Sequence, residues 1–362
     1  MKILFVYKYL TLGGVEAVIR ARLDGMHQHG IEAHAWFLAD GPGRGMFTGK
    51  EPFLHIGDVS ALMGHLEVET YDVLSSIDTE EAFPAMHRVT PRSKLVLEIH
   101  SPYRENVVYL RWLERLEIAG FLVPSSFQAS VVRGSLGRHA PIHVVPNPLR
   151  RVFVAEPEDF EPRPPYPVVA WIGRLDRVKN WVEYLRMAAA LLERGRLVEF
   201  WLVGRADEPV VERGFVRKAK QLGVLSRLKW FRGFPHEQMP RLLDATRDSG
   251  GVVVSTSRSE SFGMTVAEAM ARRCAVVVPA LGPFPEYVRD GENGLCYRPG
   301  SVREAAHCVE VLLSDAALRR RLGENARRDI LALCGPEHAL GILARELAIA
   351  AQPPAGALGP SG

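Results

Sequence analysis

The chain has 362 residues, enough for two domains of ordinary size, each with its own core. Its apolar content of 47%, charged content of 24% and net charge of +3 fit a soluble globular protein and argue against a nucleic-acid binder. The cysteines Cys274, Cys296, Cys308 and Cys334 show no Cys-x-x-Cys and no metal-ligand spacing, so they read as buried thiols of a reducing compartment.

The chain opens with MKILFVYKYL, whose apolar run is too short for a signal peptide and reads as a buried strand over Ile3–Tyr7. A Gly13-Gly14 turn and a helix to about His29 follow. Further strands are expected at Ala33–Leu38, Val73–Ile77, Leu95–Ile99, Phe121–Val123 and His143–Val145, with helices between them, one over Glu105–Ala119. The segment Arg150–Pro167 holds five prolines from Pro157 onward and reads as an interdomain linker. Alternation resumes with strands at Val168–Ile172, Glu199–Val203, Leu228–Phe231, Val252–Ser255, Ala275–Val278 and Leu295–Tyr297. The tail Gln352–Gly362 is rich in Pro, Gly and Ala and is expected to be disordered. Repeated β–α alternation implies parallel sheets with helices on both faces. The expected domains are 1–150, a linker at 151–167, and 168–340. No apolar run is long enough to cross a bilayer, peripheral membrane contact is not indicated, and the expected location is cytoplasmic.

Several strand ends carry residues suited to a ligand. Gly13-Gly14 would let backbone approach an anion at a helix N-terminus, or is a tight turn only. It is not the Gly-x-Gly-x-x-Gly fingerprint, which argues against a nicotinamide enzyme. His100 ends a strand and would reach a sugar hydroxyl, although a lone histidine is more often structural. Gly173-Arg174, with Lys179 five residues further on, brings two cations to one loop and would suit a diphosphate; the plainer reading is two solvated charges. Gly204 and Phe234 sit at strand–glycine junctions that would shape a nucleobase wall, each equally an ordinary turn, and Gly282–Glu286 follows a strand in the same way.

The most informative stretch is Ser255–Ala271, STSRSESFGMTVAEAMA. Glu260 and Glu268 bracket Ser261, Phe262, Gly263 and Met264, where a strand ends, a glycine loop turns and a helix begins. Free backbone N–H groups and carboxylates would share one crevice at a strand's C-terminal end. Carboxylates accept from hydroxyl donors, so a polyhydroxylated anion such as a nucleotide sugar is the expected ligand.

Taken in order, these motifs resemble the family 4 glycosyltransferases, retaining nucleotide-sugar enzymes of the GT-B fold. The resemblance runs from Gly13-Gly14 through Gly173-Arg174 and Lys179 to Glu260–Gly263, Glu268, Gly282 and Asn293-Gly294. It implies an α/β chain of two Rossmann-like, doubly wound domains facing a central cleft, the first on the acceptor side and the second binding the donor. Glu268 would bind the ribose hydroxyls, and Glu260 would sit beside the donor sugar. Phe262, Gly263 and Met264 would offer backbone N–H groups, while Arg174 and Lys179 hold the diphosphate. Gly14 would touch the phosphates, and His100 matches the family's active-site histidine. The chain departs from the family at Ser101-Pro102-Tyr103, where many members carry an acidic residue. No cofactor and no metal are expected, since no Asp-x-Asp motif is present and the two cations would neutralise the leaving group.

The expected reaction moves a sugar from a nucleoside-diphosphate donor, most often uridine-linked in this family, to a hydroxyl of a small soluble acceptor. The alternatives are a nucleotide-sugar epimerase, a sugar phosphorylase or a non-catalytic nucleotide-sugar binding subunit. Acceptor identity and oligomeric state are not legible.

Overall fold

The computed structural model describes residues 1–89, 93–101, 103, 106–110, 117–136, 141–206 and 208–352. Pro102, residues 105 and 111–116 of the helix expected over 105–119, and the tail from 353 onward lie outside the described residues.

Two compact units form, one from Met1–Pro148 with Pro336–Gly362, the other from Leu149–Gly335. In the first, strands β1 (Lys2–Tyr9), β2 (Glu32–Ala39), β3 (Leu54–Ile56), β4 (Val73–Ile77), β5 (Lys94–Glu98), β6 (Gly120–Val123) and β7 (Ile142–Val144) are ordered β3-β2-β1-β4-β5-β6-β7. In the second, β8 (Val168–Ile172), β9 (Glu199–Val203), β10 (Leu228–Phe231), β11 (Val252–Val254), β12 (Val276–Pro279) and β13 (Leu295–Tyr297) are ordered β10-β9-β8-β11-β12-β13. All these pairings are parallel.

Parallel strands are covered on both faces, so they read as unbroken apolar runs such as Val168–Ile172 and Val252–Val254. In the second unit Val169, Trp171, Phe200 and Leu202 pack with Tyr184, Leu185 and Met187 of the helix Trp181–Glu193. Strand order reverses between β1 and β4 in one sheet and between β8 and β11 in the other, and such switch points open a crevice at the carboxyl ends.

The unit boundary differs from the expected division at 150, 167 and 340. The helix Pro336–Ala351 belongs to the first unit, where buried Leu340, Leu343 and Leu347 join the cluster of Ile3, Phe5 and Leu23. It packs so closely that a Cβ on Gly25 would lie 2.3 Å from Leu340 Cδ1. The proline-rich stretch belongs to the second unit, with the Phe160 N–H donating to Asp248 Oδ2 at 2.7 Å. Among the described residues, no helix is long and apolar enough to cross a membrane.

Candidate functional site

The switch point of the second sheet gathers the residues singled out in the sequence. Beyond β8 the chain runs through Gly173 and Arg174 to Asp176, whose Oδ1 accepts the Lys179 N–H at 2.7 Å. Asn180 then adopts a left-handed φ of 57° and starts the helix Trp181–Glu193. This loop is laced to the one after β11: the Arg258 N–H donates to Val178 O at 2.7 Å, and Thr256 Oγ1 accepts from Trp171 Nε1 at 2.9 Å. The lacing sets Lys179 Nζ 2.6 Å from Glu260 Oε1, which also accepts from Ser257 Oγ at 2.7 Å. Arg174 is half-exposed, with Nη2 3.4 Å from Asp176 Oδ2. Two cation–carboxylate pairs, Arg174–Asp176 and Lys179–Glu260, therefore share the carboxyl edge of β8 and β11.

Gly173 and Gly204 have a steric role. At Gly204, φ is 150° and a Cβ would sit 1.8 Å from Gly173 O, so the ends of β8 and β9 touch through glycine alone. Trp230 Nε1 donates to Gly204 O at 2.7 Å, and Phe234 meets Phe231 edge to face at 5.6 Å.

Gly263 starts the helix Met264–Ala271 at φ 90°, where a Cβ would lie 2.7 Å from Phe284 Cε1. The first turn of that helix carries N–H groups without intrahelical acceptors, at its positive end. Phe262 is buried and stacked on Tyr287 with ring centroids 5.4 Å apart, and its carbonyl accepts from the Tyr287 hydroxyl at 2.8 Å. Its side chain thus packs in the core and only its backbone faces the loop. Met264 is buried as well. Ser261 precedes them in the same loop.

Glu268 is buried one turn into this helix, and its Oε1 lies 3.0 Å from His236 Nε2. His236 Nδ1 is in turn 2.9 Å from Arg150 Nη1. Neither partner was among the expected site residues. His236 stands two residues after Phe234, at a junction the sequence did mark; Arg150 carried no local signal.

In the first unit, Gly13 caps the helix Gly14–Gly25 in extended conformation. The loop is tied from beneath by buried Glu16, whose Oε1 accepts the Thr11 N–H at 2.7 Å. His100 ends β5. Its Nε2 lies 3.1 Å from Glu98 Oε2, and Glu98 takes a two-pronged contact from Arg22 at 2.8 and 2.7 Å. Burial alone would raise the Glu98 carboxyl, but the charges of Arg22 and His100 overcome it and hold it well below the usual carboxylate range. Asp78, at a left-handed φ of 44° past β4, accepts the His100 N–H at 3.1 Å. Burial pushes its carboxyl up to about 6, partly opposed by His100 and two backbone N–H groups. Two carboxylates of opposite titration thus hold His100, and neither Asp78, Glu98 nor Arg22 was expected from the sequence.

Two parallel doubly wound units with these loops define a protein of the GT-B fold. Residues 155–329 match the family model described as glycosyl transferases group 1, so the second unit carries a domain of that group. The chain is 30% identical over 166 residues to the alpha-D-kanosaminyltransferase of Streptomyces kanamyceticus, covering 44% of this chain and 40% of that protein. It is 31% identical over 167 residues to the D-inositol 3-phosphate glycosyltransferase of Nocardia farcinica, covering 45% and 36%. Less than half of each relative's length is therefore matched. Among solved structures, HepE of Anabaena in complex with UDP-glucose aligns over 96% of this chain and 99% of its own, with a TM-score of 0.82 at 20% identity. WaaG, a glycosyltransferase of lipopolysaccharide biosynthesis, aligns over 94% and 99% with a TM-score of 0.70 at 15% identity.

Proposed function

We propose that the chain is a retaining glycosyltransferase of family 4, transferring a sugar from a uridine-linked donor to a hydroxyl of a small soluble acceptor. The observation that carries this reading is the Lys179–Glu260 pair at the β8/β11 switch point, with Arg174 in the same loop as Lys179 and Glu268 on the helix that follows Glu260. Glu268 takes the ribose hydroxyls, and Glu260 takes a sugar hydroxyl. The N–H groups of Phe262, Gly263 and Met264 face the sugar, while Arg174 and Lys179 neutralise the diphosphate without a metal ion. The UDP-glucose bound by HepE supports a uridine donor. The D-inositol 3-phosphate in one relative's name is a small polyol and supports a small acceptor.

In this mechanism the bond from the anomeric carbon to the diphosphate oxygen breaks as positive charge develops on the sugar. The acceptor oxygen bonds to the same face, and its proton passes to the departing diphosphate. Fixed cations serve this step because they need no reorganisation as the anion forms. The test is the anomeric configuration of the product by proton NMR. An α-linked donor should give an α-linked product; a β-linked product would overturn the retaining assignment.

A further inference from the structure

The contact between Arg150 and His236 fixes more than position. A guanidinium has five donors and no acceptor, so Arg150 Nη1 at 2.9 Å can only donate to His236 Nδ1. The imidazole then carries its proton on Nε2 and must donate it to Glu268 Oε1, 3.0 Å away. Arg150 is itself nearly fully buried and is anchored by Glu237 Oε1 at 2.9 Å, while the Phe153 ring lies 5.1 Å from the imidazole. The direction of every hydrogen bond in the chain Arg150–His236–Glu268 is therefore set by the one member that cannot reverse.

We infer that His236, with its tautomer set by Arg150, is a positioning residue that makes the site selective for ribonucleotides over 2′-deoxyribonucleotides. It acts through Glu268, and the inference rests on the reading that Glu268 takes the ribose diol. A carboxylate held by one oxygen presents the other in a fixed direction, so a vicinal diol meets a preorganised acceptor. Without the imidazole, Glu268 must be ordered by the ligand itself, and the gain from the 2′-hydroxyl falls.

Calorimetric titration with UDP and with 2′-deoxy-UDP tests this on the full chain. The native protein should prefer UDP by about tenfold to a hundredfold, the worth of a hydrogen bond to a charged acceptor. His236→Ala should weaken UDP by about tenfold and 2′-deoxy-UDP much less, collapsing the preference, while His236→Gln, whose amide can still donate to Glu268, should keep most of it. If His236→Ala keeps the native preference while Glu268→Gln abolishes it, the inference is overturned and the ribose reading of Glu268 survives. If the native protein shows no preference, that reading itself falls and the inference with it. A structural readout stands beside the binding data. Nitrogen-15 spectra of labelled histidine should show His236 as the Nε2–H tautomer, with Nδ1–H appearing in Arg150→Met. A native Nδ1–H tautomer would overturn the inference whatever the binding results.

Discussion

Glu98→Ala is expected to destabilise the first unit by about 3–5 kcal/mol, the cost of leaving one member of a buried ion pair without its partner. Arg22 and Glu98 are 1% and 0% exposed, so water cannot replace the missing carboxylate. The Arg22 guanidinium also lies 4.7 Å from the Phe5 ring centroid, in surroundings that solvate charge poorly. Removing both charges together, as in Arg22→Met with Glu98→Leu, should recover most of the loss, because the penalty belongs to the orphaned charge. Acid has the same sense. The folded state holds the Glu98 carboxyl below its ordinary 4.5, so the pair contributes fully above that pH and is lost as pH falls below it. Urea unfolding of the single and double variants at pH 7 checks this. A single variant as stable as the native chain would show that the pair contributes nothing.

Arg174→Ala is expected to lower kcat by about a hundredfold with a much smaller change in donor KM. Arg174 is more than half exposed, so in the ground state water screens its charge and its loss weakens binding little. As the glycosidic bond breaks, negative charge concentrates on the leaving diphosphate, and a guanidinium fork within reach gains most at that moment. Lys179 differs in that its ion pair with buried Glu260 is short, at 2.6 Å against 3.4 Å for Arg174–Asp176, and its backbone is pinned by Asp176. Steady-state kinetics of Arg174→Ala and Arg174→Lys separate the two effects. Near-native turnover in Arg174→Ala would remove the residue from the mechanism. Loss appearing only in KM would make it a binding contact.

The parts of the fold that were legible in the sequence are those governed by local pattern. Val168–Ile172 was expected at its bounds because a strand buried on both faces leaves an apolar run with sharp ends, and Val73–Ile77 and Leu295–Tyr297 were likewise expected at theirs. β3 was missed, since the three residues Leu54–Ile56 are too few to show a period. The first boundary, expected at 150, lies at 148, whereas the return of Pro336–Ala351 to the first unit was not legible for a different reason. Prolines mark where the chain turns, whereas the boundary depends on where Leu340, Leu343 and Leu347 find a core, and that is a tertiary choice.

The candidate site divides in the same way. Glu260, Gly263 and Glu268 stand out because strand, loop and helix follow within a few residues. The groups that orient them do not. Arg150 meets His236 across 86 residues of sequence, and Arg22 meets Glu98 across 76. An arginine on a helix or a glutamate in a strand looks like any solvated charge until the fold buries it. Phe262 was expected to offer only its backbone N–H, and its ring packs into the core against Tyr287.

The most direct test of the central claim is the mass of the products formed from uridine, guanosine, adenosine and thymidine diphosphate sugars, without acceptor, beside a Glu268→Ala control. The account predicts slow release of nucleoside diphosphate and free sugar from one donor, the uridine-linked one, and its loss in the control. No release from any donor, together with no shift in melting temperature on adding any of them, would contradict it.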